Sequence, residues 1–71
     1  MIDDVPIHED SIRLGQFLKL ADLVDSGADA KAVLGQGVVT VNGEVETRRG
    51  RQLRKGDVVR LGERSARVGR S

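Results

Sequence analysis

This 71-residue chain has no cysteine, tryptophan or tyrosine, and only one histidine, one phenylalanine and one proline. Each shortage removes a class of explanation. Without cysteine there is neither a disulfide framework nor a thiolate metal site, and the composition fits the reducing cytoplasm. His8 cannot assemble a metal cluster alone. Phe17 falls in an apolar pattern and is expected to anchor a core rather than to offer a platform for stacked bases. No apolar run approaches the roughly 20 residues of a membrane span. Residues 1–10 are acidic without an apolar run and do not read as a signal peptide. Neither a nucleophile with a base nor paired carboxylates in a pocket is visible. The expectation is a non-enzyme with no cofactor, no metal, no small-molecule substrate and no membrane partner.

What is there is charge, unevenly spread. Charged residues make up 32% of the chain and hydrophobic ones 38%, which suits one small folded domain. Up to Ala30 there are seven acids and two bases; from Lys31 onward there are ten bases and four acids. The net charge of +1 therefore hides an acidic half and a basic half. Such asymmetry points the basic half at a polyanion.

The strongest local signal is Asn42-Gly43. It lies between the β-branched run Gly37-Val38-Val39-Thr40-Val41 and the alternating run Glu44-Val45-Glu46-Thr47. Asn-Gly tolerates the positive φ that a tight hairpin turn needs at both central residues. Upstream, Phe17, Leu20, Ala21 and Val24 share one face of a helix expected over residues 16–24, while 11–14 fits a short edge strand or a helix entry. Asp25 or Ser26 caps a second helix over 28–35, with Ala30, Val33 and Leu34 buried. Leu53 offers an apolar anchor, Lys55-Gly56-Asp57 a turn, 58–61 a third strand and 66–68 a fourth. Residues 1–10 read as a flexible acidic leader, 11–68 as a single domain and 69–71 as a frayed end. The sum is an α+β fold, two helices packed on a small antiparallel sheet.

Directly after the hairpin, Arg48 to Lys55 carries five cations in eight residues. A rigid hairpin aims such a loop in one direction. Arg60, Arg64, Arg67 and Arg70 could alternate along the outer face of the last strands.

The order of these signals resembles the S4 RNA-binding domain family. Arg13-Leu14, Phe17-Leu18, Ser26, Ala30-Lys31, Gly37 to Gly43 and Lys55-Gly56-Asp57-Val58-Val59 follow that family's pattern. Leu18-Lys19-Leu20, Asp25-Ser26-Gly27 and Val45-Glu46-Thr47-Arg48 are similar to its small stand-alone bacterial type, the YbcJ-like one. The resemblance implies that the helices and the post-hairpin loop frame a basic RNA-binding surface. By position the candidates are Lys19, Lys31, Arg48, Arg49, Arg51, Arg54 and Lys55. Many family members carry arginine after the serine that opens the second helix, where this chain has Gly27.

The implied partner is structured RNA of the rRNA or tRNA type, with the ribosome or other RNA-processing proteins as further partners. Lys meets phosphate as a point charge and Arg as a planar fork. With no exposed aromatic expected, docking would read backbone and shape rather than stacked bases. The alternative is a protein-interaction or ribosome-associated adaptor module with little RNA binding of its own. A ubiquitin-like sulfur carrier shares the Val-Asn-Gly hairpin but needs a terminal Gly-Gly, where this chain reads Gly69-Arg70-Ser71.

Overall fold

Asn42 and Gly43 take φ of 52° and 87°, the positive pair that a tight hairpin requires. The computed structural model describes residues 2–70; the side chain of Arg70 and all of Ser71, to which the expectations of an outer-face arginine and a frayed end apply, lie outside what it describes. In chain order the elements are β1 (Ile2–Ile7), β2 (Ser11–Arg13), α1 (Leu14–Leu20), α2 (Gly27–Gly35), β3 (Val39–Val41), β4 (Glu44–Val45), β5 (Gln52–Arg54), β6 (Val58–Leu61) and β7 (Arg64–Arg70). The main sheet runs β1-β7-β6-β3-β4, and β2 and β5 form a separate ribbon. This is the expected α+β class with two helices over a small sheet. None of the described helices is long and apolar enough to cross a membrane.

Two features depart from the expectation. Residues 2–7 are not a loose leader but strand β1, paired in parallel with β7 from Ile2↔Ser65 to Ile7↔Arg70. The sheet is therefore mixed, antiparallel from β7 to β4 with one parallel edge. The edge position tolerates Pro6, which has no N–H to donate, and Ile7 is buried there. The same pairing carries β7 through residues 69 and 70.

The other departure is at α1, which stops at Leu20 instead of continuing to Val24. Asp22 turns left-handed at φ 59°, and its N–H donates to the Lys19 carbonyl at 3.0 Å. The Leu23 N–H donates to the Leu18 carbonyl at 2.9 Å. This is the Schellman arrangement, with an aspartate in the place that glycine usually takes. At α2 the cap is Ser26, whose Oγ accepts the Asp29 N–H at 3.1 Å.

The core lies between the helices and the inner sheet face. Leu14, Phe17, Leu18, Ala30 and Leu34 from the helices meet Val39, Val41, Val59, Ala66 and Val68 from the sheet. Phe17 is completely buried, as expected of an anchor. Burying a side chain of this kind is worth about 1.5–3 kcal/mol. Asn42 ties the hairpin turn to the β5–β6 turn: its Nδ2 donates to Asp57 Oδ1 at 3.1 Å, and its Oδ1 accepts the Val58 N–H at 2.9 Å.

Candidate nucleic-acid interface

Ser-Ile-Arg in β2 and Gln-Leu-Arg in β5 are short alternating runs, and pairing sorts them cleanly. Ile12 faces Leu53, and both turn inward: Leu53 is fully buried and Ile12 half-buried. Ser11 faces Arg54 and Arg13 faces Gln52 on the other side of the ribbon, where Arg13, Gln52 and Arg54 are exposed. Diagonal neighbours on such a face stand about 7–8 Å apart, so Arg13 and Arg54 form one cationic strip.

The loop between β4 and β5 docks on the start of α1. No side chain caps this helix; instead the Leu14 N–H donates to the Arg51 carbonyl at 2.8 Å, and the Gly15 N–H to the Arg49 carbonyl at 2.9 Å. Two of the helix's orphan donors are thus met by the basic loop itself. The approach is close enough to need glycine. A Cβ on Gly15 would stand 2.5 Å from Arg49 Cγ. The result is a groove lined by Arg13, Gln16, Lys19 and Arg49, with Gly15, Gly27 and Ala30 on its floor and walls. It continues the cationic strip of the ribbon through the shared Arg13.

Glu46 organises the loop from beneath. Although charged, it is only 6% exposed. Its Oε2 accepts the N–H groups of Thr47 and Arg48 at 3.0 Å each and Arg48 Nε at 3.1 Å. Its Oε1 accepts Arg48 Nη2 and Arg51 Nη1, both at 3.1 Å. The Arg48 side chain and then the Arg48 backbone N–H stabilise the carboxylate, outweighing burial, with Arg51 adding to them; its pKa is lowered to about 2. Arg48 is raised in turn by the same contact.

The model of the S4 domain matches residues 5–69. The chain belongs to the S4-domain family. It is 49% identical over 61 residues to a Bacillus subtilis (strain 168) protein named "Probable ribosome maturation protein RlbA", covering 86% of each chain. Its fold is similar to that of the crystal structure of the 30S ribosomal protein S4e from Thermoplasma acidophilum, with a TM-score of 0.64 and 24% identity. That likeness covers 83% of this chain and 31% of the ribosomal protein, so this chain spans about a third of that protein.

Within this S4 domain the cations singled out from the sequence fall into separate places. Lys19 and Arg49 share the groove, and Arg54 extends it along the ribbon. Arg48 and Arg51 flank it but are tied to Glu46. Lys31 is exposed on α2 next to Ala30. Lys55 lies elsewhere, in a hollow with Asp4 and Arg67. Of the later arginines, Arg67 pairs with Asp4, Nε to Oδ1 at 2.6 Å, and Arg60 folds onto the Gly62 carbonyl at 3.0 Å. Arg64 lines a hollow that also contains Asp22, Asp25 and Asp29. Arg13 and Gln16 complete the groove, and the sequence reading did not include them among the site residues. Arg13 was visible as the basic residue before Leu14, but only the ribbon register shows which way it faces.

Proposed function

We propose that this S4 domain is a non-catalytic, cytoplasmic RNA-binding protein that docks structured RNA through the groove and ribbon. The observation that carries the reading is the convergence of Lys19 from α1, Arg49 from the β4–β5 loop and Arg13 and Arg54 from the β2–β5 ribbon along one groove and strip. Exposed cations on a rigid frame can meet phosphates along a backbone and carry no base readout of their own. Phe17, the chain's one Phe, Tyr or Trp, is buried, which argues against stacking of bases on large aromatic rings. Membership of the S4 family supports RNA as the polyanion, and the name of the Bacillus relative, a probable ribosome maturation protein, favours ribosomal RNA over tRNA.

The test is a salt titration with a labelled rRNA hairpin and with bulk tRNA. A variant carrying Arg13→Ala, Lys19→Ala and Arg49→Ala is compared with the wild type and with Arg60→Ala/Arg64→Ala. If each of the three residues neutralises one phosphate, the slope of log affinity against log salt shrinks by about 2–3 units. The control pair leaves the slope close to that of the wild type. Equal slopes for all three proteins would remove the groove from the interface. An absence of RNA binding by the wild type would favour an adaptor that works through protein contacts.

A further inference from the structure

A carboxylate beneath a polyanion-binding loop subtracts from its charge, so its presence asks for an explanation. Glu46 spends all its acceptor capacity on the loop: two backbone N–H groups and two guanidinium groups converge on it. It does not exhaust the arginines. A guanidinium carries five N–H donors; Arg48 gives Glu46 two and Arg51 gives one. The Arg48 side chain remains 76% exposed and that of Arg51 31%. The fixed backbone is the same one whose Arg49 and Arg51 carbonyls cap α1. The carboxylate thus sets the direction of two cations of the loop, Arg48 and Arg51.

We propose that Glu46 is a positioning residue for RNA binding, holding Arg48 and Arg51 in the geometry in which they meet phosphates. This rests on the RNA-binding reading above and adds that the surface is ordered by an internal anion. Net charge alone predicts the opposite effect of removing it. Glu46→Gln raises the formal charge from +1 to +2, which should tighten binding to any polyanion. Loss of positioning makes the arginines free rotors that must be ordered on binding, an expected weakening of about 10-fold. The amide keeps one acceptor oxygen, and whichever way it turns its NH2 faces donors that a carboxylate oxygen accepted.

The experiment measures binding of wild type, E46Q, R48A/R51A and the triple combination to the same labelled rRNA hairpin and to bulk tRNA, across salt. Weaker binding by E46Q despite its extra positive charge, with the effect abolished in the R48A/R51A background, supports positioning. A general loss of fold would instead persist in that background. Binding by E46Q equal to or tighter than wild type, or a loss that R48A/R51A does not absorb, overturns the proposal while leaving RNA binding in place. Failure of the wild type to bind either RNA overturns both. The wild type alone supplies a check that does not need E46Q to fold: the Nε–H resonance of Arg48 should stay in its paired, slowly exchanging state when RNA is added. Its release on RNA addition would overturn the proposal.

Discussion

Gly15→Ala tests whether the α1 start and the basic loop are in contact as described, because its effect on stability should change sign with the residue at position 49. The new Cβ would stand 2.5 Å from Arg49 Cγ and 3.2 Å from its Cδ, against a comfortable carbon–carbon separation of about 3.5–4 Å. The Cγ lies near the root of the side chain, so swinging the guanidinium away does not relieve the overlap. Either the rotamer or the loop must move, at about 1–3 kcal/mol. Against this, alanine is favoured over glycine within a helix by about 0.5–1 kcal/mol. The net effect is a destabilisation of about 0.5–2 kcal/mol. In an Arg49→Ala background the Cγ is gone, and the nearest remaining Arg49 atom, its carbonyl oxygen, stays at an ordinary 3.5 Å. There the same substitution should stabilise by about 0.5–1 kcal/mol. Thermal unfolding of the four proteins closes the cycle, and for a domain of this size each kcal/mol moves Tm by about 4–8 °C. An identical shift from Gly15→Ala in both backgrounds would refute the contact, and with it the groove built on it.

Three further outcomes follow from named contacts. Glu46, lowered to about 2 from the ordinary 4.5, stabilises the fold fully above about pH 4.5, and that contribution is lost as pH falls toward 2. Urea midpoints between pH 2 and 6 should therefore fall more steeply for wild type than for E46Q, and parallel curves would contradict the clamp. Asn42→Ala loses both side-chain bonds and leaves alanine at φ 52°; a loss of about 1–3 kcal/mol is expected by urea unfolding. Asn42→Gly relieves the backbone and should lose less. Gly27 has nothing within 4 Å of where a Cβ would stand, so Gly27→Arg should fold normally and add a cation to the groove. Its salt slope against the rRNA hairpin should steepen by about 1 unit, and an unchanged slope would place the RNA elsewhere.

How much of this was legible depended on the range of the interaction. The Asn42-Gly43 hairpin, the Ser26 cap and strand 58–61 are set by neighbours in the chain and were readable from residue type and period. Strand β1 was not, because its partner lies 63 residues away and its Asp3, Asp4 and Pro6 look like loop on their own. The early end of α1 was hidden for a related reason. Val24 keeps the helical apolar spacing, yet Asp22 turns left-handed, and Val24 reaches the core from the loop. At the candidate site, Lys19, Arg49 and Arg54 were named from type and family pattern, and they lie along the groove and ribbon. Glu46 could not, since a glutamate in an alternating strand reads as solvent-facing until the loop folds over it. That same contact turns Arg48 and Arg51 from free cations into partners of a carboxylate.

The parallel pairing of β1 with β7 also bears on the order in which the molecule assembles. Joining Ile2 to Ser65 closes a loop of about 63 residues, an entropic cost of about 3–4 kcal/mol that local hairpins avoid. The groove draws on residues 13–50 alone: its helix turns and hairpin close locally, and the docking of Arg49 on Gly15 closes about 34 residues, roughly half the separation that joins β1 to β7. The longest closure therefore falls on β1, which the groove residues do not include. Hydrogen exchange during refolding should show the amides of α1, α2 and β3 protected before those of β1, with the proposed RNA-binding face taking shape before the sheet is complete.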